Sequence, residues 1–106
     1  MSERYVRVVT LWIHKGQEAG FDAYEREAAR IMAKHKGRID SAIRMTPPVG
    51  AGPGDATPYE IHVVSFPDKA AADGYANDPE TVALRERRAR IISRTVLMEG
   101  REAGPY

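Results

Sequence analysis

The sequence lacks cysteine, a long hydrophobic run and any marked excess of charge of one sign. The absence of cysteine from 106 residues excludes a disulfide framework, a thiolate nucleophile and zinc or iron–sulfur sites with cysteine ligands. Lysine and arginine number 16 against 15 acidic residues, and the net charge of +1 gives no general attraction to nucleic acid or anionic membranes. We expect neither as a partner.

The first apolar stretch, residues 6–13, is interrupted by Arg7 and Thr10. It is too short and too polar for a membrane span or for the centre of a signal peptide, and the acidic Glu3 stands where a signal peptide is basic. We therefore expect a cytoplasmic protein. The length predicts a single domain over residues 1–106.

The hydrophobic period changes along the chain in an order that predicts the fold. Period-two alternation predicts strands at 5–13, 38–46, 59–66 and 91–98. A helical period predicts helical regions at 18–36 and 69–90. This order predicts a ferredoxin-like α+β domain, βαββαβ, with a four-stranded antiparallel sheet. Since its helices cover one face of the sheet, we expect a homodimer through the other face.

Turn and cap residues predict where the elements end. Gly37 offers the left-handed conformation that ends the first helix, and Asp68 is placed to cap the second helical region. Asp78 followed by Pro79 is a second helix start, which predicts a break near Asn77. The Pro/Gly-rich residues 47–58 predict an exposed loop, with closure over a cleft as the alternative, and residues 100–106 predict a loose tail.

Five segments of the chain follow a pattern that occurs in known proteins: Tyr5–Ile13, Phe21–Glu25, His35–Gly37, Val63–Asp68 and Asn77–Glu80. They resemble the dimeric α/β-barrel superfamily, in particular its small uncharacterised bacterial domains near the antibiotic-biosynthesis monooxygenases. The resemblance covers nearly the whole chain and implies a homodimer in which two sheets pack face to face. For some members it also implies a small-molecule cleft between sheet and helices.

The superfamily that the chain resembles includes cofactor-free monooxygenases, isomerase- and dehydratase-like enzymes, haem-degrading enzymes and many proteins without a known activity. The haem-degrading pattern is not matched, because residues 68–92 contain no histidine to bind iron. No catalytic set carries over residue by residue, since a fold does not fix an activity. We expect no cofactor.

Charged residues at alternate strand positions predict a polar face of the sheet. If the strand parities coincide, one face carries a polar set and the opposite face packs apolar residues against the helices. The polar set is Arg7, Asp40, Arg44, Glu60 and His62, and the apolar set is Ile39, Ile43, Met45, Ile61 and Val63. The polar set could hold a carboxylate or enolate, with His62 as general base beside Glu60 and Arg44 as electrostatic clamp. The alternative is a group of salt bridges between subunits.

Three further side chains predict the wall of a pocket. Trp12 ends the first strand, whereas Tyr24 and His35 lie on the inward stripe of the first helix, and together they would suit a planar aromatic substrate. The alternative is ordinary core packing, which is the usual role of aromatic residues at helical spacing.

Two other groups of residues give little indication of a function. The three histidines stand on separate elements, so we expect no metal site. The arginine-rich run 85–94 is typical of a solvated helix face, and its alternative, a nucleic-acid patch, would show steep salt dependence.

Taken together, these features predict a small-molecule-binding dimeric protein. It is either a cofactor-independent monooxygenase-like or isomerase-like enzyme acting on a small organic or aromatic compound, or a non-catalytic structural or ligand-sensing domain.

Overall fold

The computed structural model describes residues 3–106 and contains a four-stranded antiparallel sheet with helices packed on one face. The first two residues, which entered the expectation about a signal peptide, lie outside the described residues. The elements in chain order are β1 (Tyr5–Ile13), α1 (Glu18–Lys34), β2 (Arg38–Arg44), β3 (Glu60–Phe66), α2 (Lys69–Asn77), α3 (Pro79–Ala83), α4 (Arg85–Ile91) and β4 (Ile92–Gly100). Within this part of the chain, no helix is long and apolar enough to cross a membrane.

The strand order is β2-β3-β1-β4, with every neighbouring pair antiparallel, so β3 and β1 are the inner strands. The predicted ferredoxin-like α+β fold is therefore confirmed, and the second helical region is divided where Asp78 was expected to divide it. The side chain of Asp78 accepts a hydrogen bond from the backbone N–H of Glu80, and Pro79 occupies the first turn of α3. Asp68 caps α2 by accepting from the N–H of Ala71.

The core lies between α1 and the inner strands, in two clusters. The first joins α1 to β1 and to the junction of α4 and β4; its members are Leu11, Phe21, Tyr24, Ala28, Ile91 and Ile92. The second joins the end of α1 to β3 and α2; its members are Met32, Val64, Phe66 and Ala72. These clusters fix α1 across the sheet and so determine which strand residues lie beneath it.

The register reverses the predicted assignment of the two sheet faces. Val9 pairs with His62 and Leu11 pairs with Glu60, so the polar residues of β3 lie on the face that the helices cover. Arg7 and Arg44 share that face, and so does the apolar Ile39. Of the predicted apolar face, Ile43, Ile61 and Val63 instead lie on the open face, and Met45 lies beyond the end of β2.

An irregularity in β2 explains part of this reversal. The pairing of β2 with β3 shifts between Ile39 and Ser41, which leaves the intervening Asp40 on the open face, where it lies beside a surface cavity with Arg38 and Val63. An extra residue of this kind changes the parity of everything that follows in the strand. Asp40 is therefore separated from the other members of the predicted polar set.

The end of α1 also differs from the prediction. Lys36, at φ 60°, takes the left-handed conformation expected for Gly37. Gly37 has another role, because a Cβ atom on it would lie 2.3 Å from Cε1 of Phe66 and 2.6 Å from Cγ of Met32. The chain needs glycine there so that it can pass over the ring of Phe66, which is fully buried.

We predict that Gly37→Ala lowers the free energy of unfolding by about 1–3 kcal/mol, because the added methyl group overlaps a core ring that has no room to move. Urea unfolding measures the change. Gly54→Ala is the matched control, since no atom lies within 4 Å of a Cβ built there. Equal effects of the two substitutions would contradict the close packing of Gly37 on Phe66.

Candidate functional site

A cavity of about 150 Å³ lies between the helix-covered face of the sheet and the helices. An apolar cavity of about this size takes up a benzene ring in another protein, so the space suits one small ring. Seven apolar side chains line it: Val9, Leu11, Ala28, Met32, Val64, Phe66 and Leu97. Seven polar or ionisable side chains complete the wall: Arg7, Tyr24, Glu25, His62, Tyr75, Arg88 and Thr95. A mostly apolar pocket with a few convergent polar groups is typical of a small-molecule site.

His62 lines this cavity and forms a buried hydrogen-bonded pair with Glu60, which does not line it. Alternation along β3 turns both side chains to the helix-covered face, where His62 is 4% and Glu60 7% exposed. Nε2 of His62 lies 2.5 Å from Oε2 of Glu60. Because an ionised carboxylate can only accept, the contact places a ring proton on Nε2 and orients the imidazole. Nδ1 is the ring nitrogen left for other partners.

Arg44 holds the other oxygen of Glu60. Its Nε and Nη2 donate to Oε1 of Glu60 at 3.0 and 2.8 Å, and Nη2 also donates to Oδ1 of Asp22 on α1 at 2.8 Å. The guanidinium lies 4.7 Å from the ring centre of Tyr59. The hydrogen bond with Asp22, followed by that with Glu60, raises the pKa of Arg44. Arg44 does not line the cavity; its contacts are with Glu60, Asp22 and Tyr59.

Glu25 approaches His62 from α1. Its Oε2 lies 3.9 Å from Nδ1 of His62, and its side chain is 18% exposed. Burial raises the pKa of this carboxyl group, against a smaller lowering by nearby His62. Sequence reasoning missed Glu25 as a site residue, although a signal exists: it stands four residues after Phe21 and three before Ala28, so it is charged on an otherwise apolar stripe.

Two tyrosine hydroxyl groups also belong to the cavity. Burial raises the pKa of Tyr24 on α1 and of Tyr75 on α2, so both phenols stay protonated at neutral pH. A neutral phenol can donate a hydrogen bond to a carbonyl or enolate oxygen. Tyr75 is a second residue that the sequence did not single out.

The structure does not bring Trp12, Tyr24 and His35 together at this cavity, because of the three only Tyr24 lines it. Trp12 points to the open face, where its ring centre lies 4.4 Å from the guanidinium of Arg94, and its Nε1 donates to the carbonyl of Ala56 in the loop. The even parity of Trp12 in β1 causes this separation. His35 lies just past the end of α1, with Nε2 2.7 Å from Oδ2 of Asp78.

The remaining predicted residues are placed as follows. Arg7 lines the cavity, whereas Asp40 is paired with Arg38 on the open face at 2.6 Å. In the arginine-rich run, Arg85 and Arg90 are exposed as predicted, but Arg88 is partly buried and turns into the cavity. Among the residues that the structure describes, no group of three His, Cys, Asp or Glu side chains is arranged to hold a metal ion.

The chain matches one family model, described as a domain of unknown function (DUF1330), over residues 7–101. No match is found among curated proteins.

Solved structures show the same fold at low sequence identity. A protein of unknown function from Rhodopseudomonas palustris is 14% identical, with a TM-score of 0.78 over 99% of this chain and 86% of that one. A candidate antibiotic biosynthesis monooxygenase from Bacteroides thetaiotaomicron is 14% identical, with a TM-score of 0.73 over 97% and 92%. A dabb family protein with a ferredoxin-like fold from Mesorhizobium loti is 17% identical, with a TM-score of 0.66 over 97% and 100%. These structures confirm the predicted ferredoxin-like fold.

We predict that Glu25→Gln changes how stability depends on pH. Since burial raises the folded-state pKa of Glu25 above its unfolded value, the folded wild type binds more protons between those two values, and its free energy of unfolding falls as pH rises through them. Glutamine does not titrate, so the free energy of unfolding of Glu25→Gln does not fall in this way. Its stability relative to wild type should therefore increase as pH rises above about 4.3, the ordinary pKa of a glutamate, as measured by urea unfolding.

Glu86→Gln, on the exposed side of α4, is the control for the loss of a surface carboxylate. A stability difference between Glu25→Gln and wild type that is the same at every pH would show that the carboxyl group of Glu25 is not perturbed by burial.

Proposed function

This chain belongs to the DUF1330 family, and we propose that its helix-side cavity binds a small organic compound and moves a proton on it. One observation carries the proposal. Two ionisable groups from different elements, His62 on β3 and Glu25 on α1, meet 3.9 Å apart at the wall of a ring-sized cavity, and His62 is fixed from behind by Glu60. Paired groups with environments this different are typical of acid–base sites.

In the proposed reaction, the carboxylate of Glu25 takes a proton from a carbon atom next to a carbonyl group. The electron pair of the broken C–H bond moves to the carbonyl oxygen and forms an enolate. The raised pKa of Glu25 makes it a stronger base than an exposed carboxylate. Glu25 returns this proton to a different atom, directly or by way of Nδ1 of His62, which gives an isomer, so no protons or electrons are gained or lost overall.

Hydrogen-bond donors at the same wall would stabilise the enolate. Tyr24 and Tyr75 remain neutral phenols, because burial raises the pKa of each, and both line the cavity. Donors that are already fixed lower the barrier to forming an oxyanion more than mobile water does. The same proton removal also begins an oxygenation without a cofactor, in which the carbanion reacts with dioxygen, so the isomerase-like and monooxygenase-like expectations share this step.

The supporting residues act through His62. Glu60 holds the ring proton on Nε2 and so directs Nδ1 toward Glu25, as an orienting carboxylate does for a catalytic histidine in other enzymes. Arg44, which also donates to Asp22, holds the carboxylate of Glu60 in place. Glu60 and Arg44 are thus positioning residues, and His62 and Glu25 are the catalytic pair.

We also propose that the chain forms a homodimer through the open sheet face. Apolar side chains from all four strands point away from the helices: Val6, Val8, Ile43, Ile61, Val63, Val96 and Met98. Ile43 is 57% and Met98 55% exposed. An apolar patch that extends across a sheet marks an interaction surface, and a second copy offers a surface of the same shape and chemistry.

We predict that the protein accelerates exchange of α-protons with solvent deuterium for at least one ring-bearing ketone among cyclohexanone, phenylacetone and phenylpyruvate, as followed by proton NMR. Glu25→Gln should reduce the rate by about 100-fold or more, as expected for loss of a general base. His62→Gln should reduce it as well. Leu97→Trp, which places a large ring at the half-exposed rim of the cavity, should raise KM more than it lowers kcat.

Glu86→Gln on the outer side of α4 should leave the exchange rate unchanged. Exchange that is absent for every compound, or that is equal in wild type and Glu25→Gln, would contradict the acid–base proposal. Ligand binding that Leu97→Trp weakens, without any turnover, would favour the ligand-sensing alternative.

For the dimer, we predict that Met98→Glu gives a monomer in sedimentation velocity at micromolar concentration, whereas wild type sediments as a dimer. The charge would be buried without a partner at the interface, but it remains solvated in a single chain. Val82→Glu is the matched control, because Val82 is an apolar residue of similar exposure, at 42%, on α3. A monomeric wild type, or equal dissociation by both variants, would exclude this interface.

A further inference from the structure

We infer that the compound bound in the cavity carries a carboxylate group, which Arg88 and Arg7 recognise. This inference rests on the proposed function, because it names the substrate class of the same cavity. It starts from a contrast in charge: one part of the cavity wall holds the acid–base pair, and the rest includes two arginine side chains.

Arg88 is turned inward from α4 and is partly buried. Its Nη2 donates to Oγ1 of Thr95 on β4 at 2.7 Å, which fixes one arm of the guanidinium. Within residues 3–106, no carboxylate oxygen lies within 4.0 Å of it. A guanidinium has five N–H donors, so Arg88 is held in place and retains donors for a ligand.

Arg7 occupies a position where an apolar residue is expected. It lies on the helix-covered face of the inner strand β1, two residues before Val9, and lines the same cavity. Its Nε donates to the hydroxyl of Tyr5 at 3.1 Å, and the described residues place no carboxylate oxygen within 4.0 Å of its guanidinium either. Both Arg7 and Arg88 lower the pKa of Tyr75 against the larger effect of burial, so both lie near that one hydroxyl group.

Some exposed arginines of the chain are paired directly with carboxylates. Arg44 donates to Asp22 and Glu60, and Arg30 donates to Glu27 and Glu80. A cation that is partly withdrawn from water without a counter-charge is costly. Glu25 lies within electrostatic range of Arg88, and Glu99 is the cross-strand partner of Arg7, but neither carboxylate lies within 4.0 Å of these guanidinium groups. A carboxylate on the ligand would supply that direct pairing.

The geometry favours a carboxylate over a phosphate. The planar guanidinium fork matches the two oxygens of a carboxylate, and a single negative charge is enough for it. Glu25, on the same wall, would repel a doubly charged phosphate more strongly. The space of about 150 Å³ holds one ring, with the carboxylate at the arginine-lined part of the wall.

The test compares three ligands of one ring: benzoate, its uncharged analogue benzamide, and phenyl phosphate. Dissociation constants for the full chain are measured by calorimetry at fixed salt. Wild type should bind benzoate about tenfold or more tighter than benzamide, and Arg88→Gln should lose about tenfold for benzoate and little for benzamide. Arg88→Lys keeps the charge but lacks the planar guanidinium fork, so its affinity for benzoate should lie between those of wild type and Arg88→Gln. Arg7→Gln should also weaken the binding of benzoate. Arg85→Gln, exposed on the same helix, is the control and should bind as wild type does.

Four outcomes overturn the inference. Equal affinity for benzoate and benzamide overturns it and leaves the proposed function standing, because the cavity would still bind a ring. Tighter binding of phenyl phosphate than of benzoate rejects the carboxylate. Equal losses in Arg85→Gln and Arg88→Gln show an effect of overall charge only. If none of the three ligands binds, and the ketones show no exchange, the proposed function fails together with the inference.

Discussion

The buried hydrogen bond between Glu60 and His62 is the constraint on which the candidate site depends. Both side chains lie on an inner strand beneath α1, where an uncompensated charge costs several kcal/mol. The carboxylate is tolerated because Arg44 neutralises it, and Arg44 in turn is tied to Asp22 on α1. This series of hydrogen-bonded side chains therefore links the sheet to α1 and fixes the imidazole. Nδ1 of His62 is left facing Glu25.

Local signals in the sequence predicted the fold well, because each of them acts within a few residues. The period of β1 gave both ends of that strand, and Asp68 and Asp78 cap their helices through hydrogen bonds to the next turn. The end of α1 shows where such signals fail. Gly37 was expected to take the left-handed turn, but contact with Phe66, far along the chain, decides its role, and Lys36 takes the turn instead.

The site was predicted only in part. Period two was enough to place Glu60 and His62 on one face, and Arg44 pairs across from Glu60 in the neighbouring strand. The choice of face was wrong, because polar residues usually face outward, whereas here they satisfy one another under the helices. Glu25 and Arg88 were missed because their position in the site depends on contacts between different elements. On its own helix each is one charge among several, and only the packing of α1 and α4 on the sheet brings the two to one cavity.

From the sequence, a ligand site and a subunit interface were predicted on the same face of the sheet, as alternatives. With the faces reversed, the proposed ligand site and the proposed dimer interface lie on opposite faces. In β1, Val9 and Leu11 line the cavity while the alternate residues Val8 and Thr10 point to the open face, so one strand contributes to the proposed ligand site on one side and to the proposed dimer on the other. A salt-bridged interface would have used Arg44 and Glu60 to join subunits. Because these residues are instead engaged within the chain, the proposed association would rest mainly on apolar contact.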